Sequence, residues 1–140
     1  MLDVLLVILA PIAARLPIHM IYPTGKKQHE TIPRFTRWYR WATVIAGDCS
    51  YTKRHMPSTL PGKTILTNST TQADVARFRE AGVRYLVTTT PRFNGRSFGT
   101  NMLEAALVAV TGKGRRLTRV ELNALIGTLD LRPQIQQLND

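Results

Sequence analysis

Residues 63–89, KTILTNSTTQADVARFREAGVRYLVTT, decide the fold. Lys63-Thr64-Ile65-Leu66-Thr67 is a short apolar run that reads as a strand, closed by the polar string Asn68-Ser69-Thr70-Thr71. The hydroxyl of Thr70 or Thr71 can cap a helix by accepting from its unpaired N–H groups. Val75 and Phe78 fall at i, i+3 on one face of that helix, and Gly82 suits its end because glycine adopts the left-handed conformation cheaply. Residues 83–89, rich in β-branched side chains, read as a second strand. A strand, a helix and a strand in succession place the two strands parallel.

The same alternation extends both ways. Thr43-Val44-Ile45-Ala46 reads as a buried strand followed by a polar loop from Gly47-Asp48 to His55. Before it, Thr31-Ile32-Pro33 reads as the start of a helix running to about Trp41. After it, residues 91–99 read as a loop with two glycines, and Thr100 or Asn101 opens a helix ended by Gly112. That helix is apolar on several faces (Leu103, Ala105, Leu107, Val108, Ala109, Val110), which predicts deep burial. Thr118-Arg119-Val120-Glu121 has the spacing of a capping box, and a last strand over residues 133–138 belongs at a sheet edge, where Pro133 is tolerated. The expectation is an α/β chain forming one three-layer, Rossmann-like domain with a mainly parallel sheet.

The 140 residues suffice for one domain with a core. Lys and Arg number 19 against 9 Asp and Glu, so the surface attracts anions: nucleic acid, phosphorylated ligands or an acidic partner. The single cysteine, Cys49, rules out an internal disulfide framework or a multi-cysteine zinc site and fits a reducing, cytoplasmic location. The apolar run from Val4 to Ala14 is shorter than the roughly 20 residues that cross a bilayer. No basic residue precedes it as a signal peptide requires, so no membrane is expected as a partner. An apolar segment within residues 1–30 needs something to pack on, either a second copy or structure that this chain lacks.

In open parallel sheets ligands bind outside the carboxyl ends of the strands. Three expected strands end here in loops rich in hydroxyls, amides and cations, including Lys53. Arg54, Arg92 and Arg96 are the candidates to pair with an anion, and Asn68, Thr70, Ser97, Thr100 and Asn101 to add hydrogen bonds. Asp48, directly after a strand, is the candidate general base or ribose-hydroxyl partner. Helices expected to start near Thr71 and Thr100 would aim N–H groups and dipoles at the same edge. A small anionic metabolite or nucleotide is the expected ligand.

Several motifs fail on context. Gly95-Arg96-Ser97-Phe98-Gly99 fits G-x-S-x-G, but no strand runs directly into Ser97 and all three histidines precede it. Gly62-Lys63-Thr64 precedes its strand, the reverse of a Walker A loop, and the dinucleotide fingerprint G-x-G-x-x-G is absent. Cys49 and His55 are weighed as a thiol–imidazole pair, with a small strand-end residue as the preferred reading of Cys49. Arg34, Arg37 and Arg40 beside Trp38, Tyr39 and Trp41 have the ingredients of a nucleic-acid surface. The preferred reading is the core face of an amphipathic helix with arginines pointing outward, so nucleic acid is not the expected partner.

Tyr22-Pro23-Thr24-Gly25-Lys26-Lys27-Gln28, Ala46-Gly47-Asp48 with Tyr51 and Arg54 before Met56-Pro57, residues 62–68, Leu86-Val87-Thr88-Thr89-Thr90-Pro91 and residues 95–101 with Glu104-Ala105 together form a further pattern. It resembles a bacterial family named quinate 5-dehydrogenase, over nearly the whole chain. The resemblance implies a longer protein, of which this chain is the C-terminal half, and by name an NAD(P)-dependent oxidation of a cyclic hydroxy acid. Ligand binding, that oxidoreductase activity and nucleic-acid binding are the three functions left in competition.

Overall fold

In the computed structural model the sheet is built where the sequence places it, and its strand order is sequential. The structure describes residues 30–140, with Arg15 and Pro17. The expectations for the apolar opening lie outside the described residues. The chain divides into two units, Met1–Glu30 and Thr31–Asp140, and all the elements below belong to the second.

Helix α1 (Thr36–Trp41) precedes strand β1 (Val44–Ala46), helix α2 (Cys49–His55) and strand β2 (Thr64–Thr67). Helix α3 (Gln72–Glu80) leads to strand β3 (Tyr85–Thr88), and a short hairpin follows, β4 (Arg92–Phe93) with β5 (Arg96–Ser97). Helices α4 (Thr100–Thr111) and α5 (Arg119–Thr128) then lead to strand β6 (Gln134–Gln137). The sheet order is β1-β2-β3-β6, with β1, β2 and β3 parallel and β6 antiparallel at the edge. The protein is thus a mixed α/β fold with a mostly parallel four-stranded sheet. Among the described residues the strand order does not reverse.

Burial alternates along β2 and β3, so Ile65, Thr67, Leu86 and Thr88 face one side. There Ile65 and Leu86 meet Cys49 of α2 and Val75 and Phe78 of α3, with Met56, Leu60, Ala81, Val83 and Leu138, in the main core. On the other side Leu66 and Val87 are half-buried, and Val44, Ala46 and Ile135 are exposed.

Four local expectations are corrected. First, α1 begins at Thr36, later than Thr31-Pro33, because Phe35 takes the left-handed conformation (φ 59°) and interrupts the backbone before it. Second, residues 49–55 are helical: Asp48 accepts from the backbone N–H groups of Ser50 (2.9 Å) and Tyr51 (3.3 Å), and no Gly or Pro opposes the helix. Third, β1 is an edge strand with exposed Val44 and Ala46. Fourth, α4 buries only Leu107, so its apolar faces do not mark deep burial.

α2 and α3 are joined by one carboxylate. Asp74 completes the capping box with Thr71 and forms an ion pair with Lys53 of α2. Burial alone would raise the Asp74 pKa, but hydrogen bonds from Lys53 and from Thr71 outweigh it and hold the carboxyl below its usual value. At the start of α5, Thr118 and Glu121 form the expected capping box, and Arg115 and Lys113 pair with Glu121.

Two measurements test this packing. Asp74→Ala should cost ~2–4 kcal/mol in urea unfolding at neutral pH, since it removes a cap and strands a half-buried lysine. A folded pKa below the unfolded value of about 3.9 means that the carboxylate stabilises above that pH and loses its effect as pH falls through the folded value. The gap between wild type and Asp74→Asn should therefore be widest above about pH 4 and close as pH falls below it. The second concerns Cys49, whose thiol is pushed up to about 12, chiefly by burial and then by the Asp74 carboxylate. Iodoacetamide at mildly alkaline pH should leave it unmodified until denaturant is added.

Candidate functional site

The parallel pairing puts the ends of β1, β2 and β3 at one edge of the sheet, so the loops begin there as the sequence implies. What each loop then does is more selective. β4 and β5 form an antiparallel hairpin turned by Asn94 (φ 49°) and Gly95 (φ 78°), the paired positive angles of a tight two-residue turn. The hairpin is fixed to the end of β2 through reciprocal backbone bonds between Thr70 and Ser97 (3.3 and 3.0 Å). The two buried hydroxyls are also 2.9 Å apart. Thr90 hydroxyl contacts the carbonyls of Phe98 (2.6 Å) and Asn68 (2.9 Å), which ties both loops together again.

Residues directly opposite in a hairpin share a face, so Arg92 lies with Ser97, and Arg96 lies with Phe93 on the other face. The structure therefore separates Arg92 from Arg96. Arg92 is half-buried, and its guanidinium donates to Gln136 Oε1 (2.5 Å), while its backbone N–H reaches Gln134 Oε1 (3.3 Å). Arg96 is exposed. Neither arginine has a carboxylate partner among the described residues. Arg54 lies in the last turn of α2, ~7–9 Å along the helix from the strand end. Its carbonyl accepts from Ile32 N–H (2.7 Å). Lys53 is paired with Asp74.

The remaining candidates are also placed. Asn68 is half-buried and its Oδ1 accepts from Ser69 (3.3 Å). Asp48 caps α2. Thr100 and Asn101 are exposed in the first turn of α4, whose cap position is Gly99, without a side-chain cap. Cys49 and His55 do not pair: the thiol lies in the core, and the imidazole stacks on Tyr51 with Nδ1 3.1 Å from the Ile32 carbonyl. Among the described residues, no three His, Cys, Asp or Glu side chains gather as a metal site would need. No described helix is long and apolar enough to cross a membrane.

The structure adds residues that were not singled out. Thr67 and Thr88 are register partners at the carboxyl ends of β2 and β3, 3% and 1% exposed, and both hydroxyls lack a hydrogen-bond partner. Gln134 is the register partner of Thr88, and Gln136 that of Leu86, so both glutamines share the face of the two threonines. Arg92 is bonded to both glutamines, and its buried Nε also lacks a partner. Among the described residues, three of the four orphaned buried polar atoms thus lie on or against one face and one end of the sheet. The signal was present as period-2 spacing: Ile65-x-Thr67 and Leu86-x-Thr88 put each threonine in phase with a core residue.

Against known proteins, a family profile described as Domain of unknown function (DUF8754) matches residues 1–138. No curated protein and no solved structure matches the chain. With the match spanning nearly its full length, the chain belongs to the DUF8754 family.

Proposed function

We propose that this protein binds a small anionic metabolite or nucleotide at the carboxyl edge of its parallel strands, against the face bearing Thr67, Thr88 and Arg92. The observation that carries the reading is the set of orphaned polar atoms there: two adjacent buried hydroxyls and a guanidinium Nε. A buried donor without a partner costs roughly 1–3 kcal/mol, and native folds rarely tolerate several together without a use for them. Arg92 supplies a positive charge with no carboxylate partner among the described residues; Gln136 and the Gly95 carbonyl hold its guanidinium and Gln134 its backbone N–H. An anion that also accepts hydrogen bonds, a carboxylate or a phosphate, suits that set. Asn68, Thr70 and Ser97 form the adjoining wall. The three-layer, Rossmann-like arrangement would be completed over the half-covered face of Leu66 and Val87.

The test is a thermal-shift panel of inorganic phosphate, ADP, NADP+, glucose 6-phosphate and quinate, the last two of which combine an anion with ring hydroxyls. A binder at one hundred times its Kd should stabilise the fold by about 2.7 kcal/mol. Arg92→Ala should abolish that shift. Thr88→Val should weaken it while leaving the ligand-free protein as stable as wild type or up to ~1 kcal/mol more so, because it removes an unpaired buried hydroxyl. A shift that survives both substitutions places the ligand elsewhere and ends the reading.

A further inference from the structure

A second surface, on α1, carries a different inference. Residues 34–41 read Arg-Phe-Thr-Arg-Trp-Tyr-Arg-Trp, an arginine followed by an aromatic three times over at a spacing of three. On a helix such positions form adjacent stripes, Arg37 and Arg40 on one and Trp38 and Trp41 on the next, ~4.5 Å of rise per repeat. The sequence reading placed the aromatics in the core. Only Tyr39 packs there, whereas Phe35 is 65%, Trp38 57% and Trp41 77% exposed.

Three observations set this surface apart from ordinary exposed residues. The two tryptophans lie edge to face with centroids 6.0 Å apart, and the Arg37 guanidinium sits 5.6 Å from the Trp38 ring centre, so charge and ring are presented together. Phe35 is held outward in a left-handed conformation that a bulky side chain adopts only at a cost, and such strain gathers at functional positions. Its ring meets His55, which stacks on Tyr51, and this extends the aromatic surface onto α2. Finally, α1 carries Arg37 and Arg40 with Arg34 just before it, and no acid lies between Thr31 and Gly47.

We propose that the α1 face of Arg34, Phe35, Arg37, Trp38, Arg40 and Trp41 binds single-stranded nucleic acid, with bases stacked on the rings and phosphates on the guanidinium stripe. Stacking accepts any base and the arginines read only phosphate, so the binding is without sequence preference. Interleaving favours a nucleic acid over a membrane: each ring is flanked by a cation at the same level, and one ring already carries a guanidinium. A bilayer would need the rings to reach past the charges into apolar depth. This surface is separate from the proposed ligand edge and stands or falls independently of it.

The experiment is fluorescence anisotropy of the full chain with a labelled oligo(U) and with its duplex, alongside co-sedimentation with phosphatidylserine vesicles. Binding to the single strand should exceed binding to the duplex and quench tryptophan fluorescence. Trp38→Ala with Trp41→Ala should weaken it at least tenfold, and Trp38→Phe with Trp41→Phe should retain most of it, which separates stacking from unfolding. Arg37→Gln should lower the slope of log K against log salt by about 0.7. No binding at low salt, a duplex bound as tightly, or an alanine pair that is folded and binds like wild type overturns the proposal. So does vesicle binding without oligonucleotide binding, which would assign the surface to a lipid headgroup layer.

Discussion

The in-register parallel pairing of β2 with β3 is the constraint on which the rest depends. It matches Ile65 with Leu86 and Thr67 with Thr88, so the core and the polar edge come from the same two strands, one pleat apart. α3 makes that pairing possible. Its Val75 and Phe78 cover the apolar half of the face, and its Thr71–Asp74 capping box fixes where the chain turns from strand to helix. The Asp74 pair with Lys53 then brings α2 against α3. A slip of β3 by one residue against β2 would turn Leu86 and Thr88 to the opposite face and part them from Ile65 and Thr67.

The β2-α3-β3 unit was legible in the sequence because its local signals agree: strand runs, capping threonine, i, i+3 apolar pair and terminal glycine all appear in order. So were the edge position of β6 and the capping box of α5. Residues 47–55 were misread because polar composition suggests a loop, whereas Asp48 acts as a cap and starts a helix. Asn94-Gly95 carried a strong hairpin signal that the neighbouring glycines of the G-x-S-x-G string obscured. The hairpin register decides which side chains share a face, and this is why Arg92 and Arg96, four residues apart, part company. Periodicity alone could not tell that the aromatic stripe of α1 faces outward, because an amphipathic pattern gives the stripe and leaves open what covers it.

The sheet is unequal on its two sides. One face is filled by α2 and α3, and the other bears Val44, Ala46, Leu66, Val87 and Ile135 with incomplete cover. α4 shares this character, since Met102 and Val110 are exposed and Leu107 alone is buried. Among the described residues the apolar side chains are thus divided between a closed core and surfaces that remain open.

The β4–β5 hairpin touches the end of β2 through Thr70 and Ser97 and the edge strand β6 through Arg92 and its two glutamines. β6 is the last strand in the chain order and β2 one of the first. During synthesis, β2, α3 and β3 can pair while the ribosome is still adding later residues, but Arg92 has only its own hairpin, Ser97 and the Gly95 carbonyl, until Gln134 and Gln136 emerge. The polar edge is therefore finished only when the final strand docks, and that step also delivers Leu138 to the core, so the last residues made close both layers at once.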